Sequence, residues 1–301
     1  MIRFLYFCYN INATSTSFIG KYTAKIIRKL TLLLSVLILP IYFYYIRLYV
    51  LPRLMKTQDG ISITLTSFPA RITKVYQVII SLMLQTSEVR EIILYLSKEQ
   101  FASITALPKS LKLLIPYGLK VILVDGDMRS YKKYIYNKEF LGDIGFIIVD
   151  DDIIYHPDTT SILLRAEKKF PKHVYANRCV VMESAKEYQY WKLANKEGSG
   201  SYMATGCAGV YYPFGTLHNL AYDKKNAWAN CPDGDDIWLK VATNMTNSEV
   251  IFTGFTQLLL PILNNNANDL HIKNVEGKRN DINLNNVEKF IAKTYGKKPF
   301  S

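Results

Sequence analysis

Short apolar runs alternate with helical stretches through most of this 301-residue chain. The segment 61-ISITLTS-67 alternates apolar and polar residues and stops at Phe68-Pro69, which predicts a strand. Residues 72–85 place Val75, Val78, Ile79 and Leu82 at helical spacing and predict an amphipathic helix. Further strands are expected at 91–97, 120–125, 146–149 and 173–181. Between them fall short helical pieces around Phe101 and Leu111, a tyrosine-rich helical stretch before Phe146, and a helix over 158–170 with Asp158 as its N-cap. This order predicts an α/β domain, a mostly parallel sheet flanked by helices, whose ligands sit beyond the carboxyl ends of the strands.

The first fifty residues break the pattern. Lys21, Lys25, Arg28 and Lys29 precede an uncharged apolar run over 30–46, and Arg47, Arg53 and Lys56 follow it. About 17 residues at ~1.5 Å each span roughly 26 Å, slightly short of a ~30 Å hydrocarbon core. Pro40 would kink the run, and Tyr42, Tyr44, Tyr45 and Tyr49 form an interfacial belt. A cleaved signal peptide fits poorly, because no small-residue cleavage site follows. We expect a membrane-associated segment over 1–56, spanning the bilayer or lying in its interface, ahead of one domain over 57–301. A buried helix packed on that domain is the competing expectation.

Composition narrows the partners. A chain that is 49% hydrophobic has enough apolar residues for one sizeable core. Cys8, Cys179, Cys207 and Cys231 lie far apart, which argues against a disulfide framework or a structural zinc site and favours a reducing compartment. The net charge of +12 is not interleaved with aromatic residues as a nucleic-acid surface requires, so no nucleic-acid partner is expected. A basic face toward anionic lipid or phosphorylated substrates accounts for it as well.

The candidate chemistry starts at 146-FIIVDDDIIYHP-157, where an apolar strand runs into three carboxylates. Two like charges ~4 Å apart repel by about 4 kcal/mol at an effective dielectric of 20, so the cluster must spread into solvent, raise its pKa values or bind a cation. Alternation along an extended chain turns Asp150 and Asp152 to one side and Asp151 to the other. Two oxygen ligands on one side suit Mg²⁺ or Mn²⁺; the plainer reading is an acidic turn capping the next helix. The second acidic site is 232-PDGDDIWLKVA-242, where Asp233, Asp235 and Asp236 precede a helix. The helix dipole accounts for one carboxylate there, and another is free to act as a general base. Between the sites, Gly206 and Gly209 either let the backbone approach a ligand or form a tight turn before a strand.

Taken in order, 64-TLTSFPARI-72, 91-EIILYLSKEQF-101, 122-ILVDGDMRSYKKY-134, 147-IIVDDDIIY-155, 206-GCAGVYYP-213 and 234-GDDIWL-239 resemble bacterial glycosyltransferases of the GT-A fold, of the kind found in polysaccharide and lipopolysaccharide clusters. The resemblance runs from about Lys56 to the C-terminus. It implies a GT-A (nucleotide-diphospho-sugar transferase) fold in which Asp150 and Asp152 hold a divalent cation, Mn²⁺ or Mg²⁺, against the donor diphosphate. It places Thr66, Ser67 and Arg71 beside the nucleotide, Asp125 and Asp127 near base or ribose, and Lys132 and Lys133 near the donor phosphates. Asp151 is counted with the donor-binding residues. Gly206 and Gly209 would border sugar and acceptor, and Asp235 or Asp236 would take the acceptor proton in an inverting reaction. His271 is a third-ligand candidate, although its Asn-rich surroundings match poorly.

The function so implied is metal-dependent transfer from a nucleotide sugar, a UDP-sugar first, to a hydroxyl of a glycan or lipid-linked acceptor. The expected place is the cytoplasmic face of a bacterial inner membrane. The basic run at Lys21 to Lys29 opposes a spanning helix with its N-terminus outside, and an interfacial helix avoids the conflict. Two other readings stay open. One is a haloacid-dehalogenase-type phosphatase or phosphotransferase, whose nucleophilic Asp belongs on the first strand, whereas this triplet ends the fourth. The other is a non-catalytic, membrane-attached binding protein.

Overall fold

A computed structural model describes residues 1–11, 18–54, 59–183, 186–263 and 278–300. Two helices open the chain, α1 (Ile2–Asn10) and α2 (Phe18–Tyr45), and α2 runs on through irregular helical turns to Arg53. There follow β1 (Ile61–Thr66), α3 (Val75–Met83), β2 (Val89–Ser97), α4 (Lys109–Lys112), β3 (Leu119–Val124), α5 (Asn137–Phe140) and β4 (Phe146–Ile148). The middle of the chain holds β5 (Ile153–Ile154), α6 (Thr159–Lys169), β6 (Val174–Ala176), β7 (Cys179–Val181), β8 (Gly198–Ser199), β9 (Tyr202–Ala204) and β10 (Val210–Tyr212). It ends with α7 (Lys224–Asn230), α8 (Asp235–Asn244), β11 (Val250–Phe252), β12 (Leu260–Pro261) and α9 (Arg279–Tyr295).

One eight-stranded sheet organises these elements in the order β3-β2-β1-β4-β10-β6-β11-β8. The first four strands are mutually parallel, β10 runs antiparallel between β4 and β6, β11 is parallel to β6, and β8 is an antiparallel edge. Two ribbons, β5 with β12 and β7 with β9, lie outside it. Period-two alternation sends Ile63, Leu65, Leu94 and Ile147 into one apolar cluster and Ile93, Tyr95, Phe146 and Ile148 into the other. Helices α3 and α6 and the N-terminal pair share the first cluster; α7, α8 and α9 share the second. Both faces are covered, as a chiefly parallel sheet requires. Trp238 is fully buried in the second cluster and donates its indole N–H to the Leu220 carbonyl at 2.9 Å, so it is a core residue.

Three expectations are corrected. The strand expected over 173–181 is two: β6 stays in the large sheet and β7 leaves for the ribbon. The corner is Asn177, whose side-chain amide donates to the carbonyls of Thr159 and Ala208, each at 3.2 Å, while its carbonyl oxygen accepts from Thr253 at 2.7 Å. Asp158 stands at the N-cap position of α6, but its carboxylate does not cap; it takes the Arg3 guanidinium at 2.7 Å and the Thr86 hydroxyl at 3.0 Å. The first amphipathic helix starts at Val75, because residues 68–74 form turns that point Arg71 across the ends of β1 and β4.

At the N-terminus, Gly20–Arg53 is the one helical stretch among the described residues long and apolar enough to cross a membrane, and only 22% of its most apolar window is buried. The expected domain boundary at residue 56 lies outside the described residues.

Candidate active site

Parallel pairing of β1 with β4 aligns Thr64 with Ile148 and brings the two strand ends side by side. Val149 still donates its N–H to the Thr64 carbonyl at 3.1 Å; beyond it the chain turns. That turn overturns the expected alternation of the three carboxylates. Asp151 does not point away from Asp152. The Arg71 guanidinium nitrogen Nη1 lies 2.8 Å from Asp151 Oδ1 and 2.9 Å from Asp152 Oδ2, and the Ser67 hydroxyl donates to Asp151 Oδ2 at 2.6 Å. The residues expected to border a nucleotide thus hold the acidic loop itself. Asp151 is buried; burial raises its pKa against the opposing pull of Arg71 and Ser67. It lines the cleft from a position held by Arg71 and Ser67.

Asp150 and Asp152 face one cleft of about 620 Å³ at the carboxyl ends of the parallel strands. Each keeps about a third of its side chain exposed, 34% and 33%. Burial, followed by the charge of Asp150, pushes Asp152 up to about 6. Asp150 donates its backbone N–H to the Tyr155 hydroxyl at 2.8 Å, and that hydroxyl donates to the Cys207 carbonyl at 2.9 Å. One buried phenol therefore joins the acidic loop to the turn at Gly206–Ala208.

The second acidic pair enters from α8. Asp235 and Asp236 occupy its first turn, where helix N–H groups and the dipole favour negative charge. Lys133, with 4% of its side chain exposed, places Nζ 2.8 Å from Asp235 Oδ2 and 2.9 Å from Asp150 Oδ1. Burial works against the Lys133 charge, but Asp150, Asp235 and Asp236 outweigh it and hold its pKa well above the ordinary lysine value. Asp236 accepts the Gly206 N–H at 3.1 Å. Burial first, and the neighbouring Asp235 next, push Asp236 up to about 7. Of the two candidate bases, Asp235 is committed to Lys133, and Asp236 is the one poised near neutrality.

The remaining expected residues divide cleanly. Thr66 lines the cleft while its hydroxyl donates to the Tyr95 carbonyl at 2.9 Å. Asp127 also lines it, taking Gln100 at 2.7 Å, the Arg129 N–H at 3.0 Å, and a short ion pair from buried Lys132. Burial lowers the Lys132 pKa, with Asp127 opposing. Asp125 stands apart: its side chain is 88% exposed and pairs with Lys98 at 2.9 Å. Gly206 is tightly packed, since a Cβ there would fall 2.6 Å from Lys133 Nζ. Gly209 serves the fold rather than the cleft. Its φ of +91° lets the chain turn beside Thr159 and Asn177.

Several cleft residues escaped the sequence reading. Arg178 sits just past the Asn177 corner and donates to the Thr205 hydroxyl at 2.9 Å. Arg129 in the cleft and Arg279 beside it both reach buried Asp233, at 2.6 Å and 2.5 Å. Tyr188 completes that side. No spacing marks these residues; folding alone brings them together.

A divalent cation is compatible with this donor set. Among the described residues no three His, Cys, Asp or Glu side chains converge into a closed cage, and His271 lies outside the described residues. What exists is a half-site of two partly exposed carboxylates, Asp152 being pushed up by burial first and by the charge of Asp150 next. Hard oxygen donors of this kind suit Mg²⁺ or Mn²⁺, which take their remaining ligands from water and substrate phosphate. No protein-family model matches the chain, and no curated protein matches it.

Proposed function

We propose that this protein is a membrane-attached glycosyltransferase, acting from a nucleotide-sugar donor on a hydroxyl of a glycan or lipid-linked acceptor. The supporting observation is the meeting, in one cleft at the strand ends, of the Asp150/Asp152 pair with the near-neutral Asp236 on the first turn of α8. A GT-A arrangement, a UDP-sugar donor and the cytoplasmic face of a bacterial inner membrane belong to the same proposal.

Asp150 and Asp152 would hold Mn²⁺ or Mg²⁺, which as a Lewis acid stabilises the charge developing on a departing diphosphate. Arg71 keeps Asp152 in place by gripping it together with Asp151. Arg129 and Arg178 line the same cleft and offer positive charge to phosphate oxygens. Asp236 removes the acceptor proton, a task suited to a carboxylate whose pKa lies near the working pH. Lys133 pairs with both Asp235 and Asp150 and fixes the distance between the two acidic sites. Attack from the face opposite the diphosphate gives inversion.

The test is to incubate the purified full-length protein with a panel of nucleotide sugars and Mn²⁺, following donor hydrolysis and thermal shift. Mn²⁺-dependent stabilisation by UDP and consumption of one donor are expected. Release of phosphate from simple phosphomonoesters, with no response to any nucleotide sugar, would replace this reading with phosphotransfer.

A further inference from the structure

Helix α2 is amphipathic in the inverted sense. Its inward face holds Ala24, Thr31, Ser35, Leu39, Phe43 and Ile46, all buried. Two of these are polar and are satisfied within the helix, Thr31 donating to the Ile27 carbonyl at 2.8 Å and Ser35 to that of Leu32 at 2.7 Å. Its outward face carries Ile26, Leu30, Leu33, Leu37, Ile41 and Tyr44 at spacings of three and four residues, with Leu37 69% and Ile41 73% exposed. A water-facing helix does the reverse. The neighbouring α1 adds Phe4 and Phe7, 63% and 68% exposed.

What covers this face is indicated by charge. Residues 1–58 contain eight Lys and Arg and no Asp or Glu, so two thirds of the net charge of +12 sits in about a fifth of the chain. An equally basic second copy would be repelled, whereas anionic headgroups are attracted.

The connections of α1 decide how the face meets lipid. Tyr6 donates its hydroxyl to the Ile154 carbonyl at 2.7 Å, Arg3 pairs with Asp158 at 2.7 Å, and Asn10 accepts the Leu258 N–H at 2.7 Å. Ile2, Leu5 and Tyr6 share one apolar cluster with Leu39, Phe43 and Ile46 of α2 and with Ile154. The segments before and after α2 therefore dock on the same domain. A spanning α2 would put α1 on the far side of the bilayer and break each of these contacts.

We infer that α1 and α2 form a monotopic docking surface that lies flat on an anionic lipid bilayer, its apolar stripe among the acyl chains and both helix ends on the side of the domain. About 27 Å of stripe from Ile26 to Tyr44, at ~1.5 Å per residue, then runs parallel to the membrane plane. The inference concerns attachment alone and stands apart from the sugar-transfer reading.

Two experiments test it on the full-length chain. In a Cys8→Ser, Cys207→Ser background, Lys21→Cys and Tyr49→Cys are each exposed to a membrane-impermeant thiol reagent in inverted vesicles from expressing bacteria. Labelling of both to the same extent without detergent is expected; protection of one and labelling of the other means a spanning helix and overturns the inference. In flotation assays with purified protein, adding phosphatidylglycerol to phosphatidylcholine vesicles should raise binding by about tenfold or more. The Leu37→Glu/Ile41→Glu double variant, with an unchanged melting transition, should bind on the order of 100-fold more weakly. Wild-type protein that ignores vesicles yet forms lipid-free dimers, which the double variant disrupts, would assign the face to a second copy and sink the proposal.

Discussion

The Lys133 ammonium lies 2.8 Å from Asp235 Oδ2 in an almost solvent-free position, and the same nitrogen reaches Asp150 at 2.9 Å. A buried cation thus stands where the two acidic sites meet. Lys133→Met should leave three facing carboxylates without it and cost about 3–5 kcal/mol, the usual result of removing one partner from a buried ion pair. Urea denaturation measures this directly. A loss below ~1 kcal/mol would show that the carboxylates are reached by water and that Lys133 matters little to the fold.

The pH dependence of Asp236 has a definite sign. Its folded value of about 7 lies above the ordinary 3.8, so the folded chain binds that proton more tightly than the unfolded one. The group therefore detracts from stability as pH rises above ~4, and the full cost is present above ~7. Asp236→Asn, which preserves an acceptor for the Gly206 N–H, should stabilise the protein at pH 8 by up to ~4 kcal/mol and at pH 5 by clearly less. The same variant should lose roughly 100-fold or more in transfer rate, and wild-type turnover should fall as pH drops below ~7. Melting curves at the two pH values and a pH–rate profile check both halves.

Asp152→Asn should abolish Mn²⁺-dependent stabilisation by UDP while the unfolding transition stays cooperative. Arg71 retains Asp151 as a partner in that variant, so the loop keeps its main tie. Undiminished UDP binding would show that the pair does not hold the metal.

Gly206→Ala would set a methyl group 2.6 Å from Lys133 Nζ. Overpacking of this kind costs about 1–3 kcal/mol, and here it pushes the lysine off its carboxylates. Activity should fall further than stability, as comparison of turnover with thermal melting will show.

The two aspartates expected near a nucleotide should part company. Asp127→Asn removes a charge held in the cleft by Lys132, Gln100 and the Arg129 N–H and should raise the donor KM. Asp125→Asn alters an exposed side chain paired with Lys98 and should leave kinetics unchanged. Equal effects in the two variants would place the nucleotide nearer Asp125 than the cleft geometry indicates.

Much of the sheet was readable because β1 and β2 bury alternate residues on opposite faces, and period two is visible in a string of letters. The acidic triplet was placed at a strand end for the same reason. The directions of its carboxylates were not readable, because the strand ends at Ile148 and alternation stops with it. Nor was the corner at Asn177, whose polar side chain is satisfied by carbonyls 18 and 31 residues away in sequence. Arg178 and Arg129 came to the cleft through such long-range folding and carry no local signature. In α2, an uncharged run gave no sign of which face would turn inward; the face that does carries Ala24, Thr31 and Ser35 along with Leu39 and Phe43.

The hydrogen bond from Tyr6 to Ile154 lands two residues beyond Asp152. On the proposed lipid surface, helices docked this near the acidic cleft would leave the domain little freedom to swing toward a distant target. If the cleft transfers sugar as proposed, the gap between lipid and cleft would act as a ruler, and an acceptor hydroxyl too high or too low above the bilayer would be refused on length before its chemistry is read.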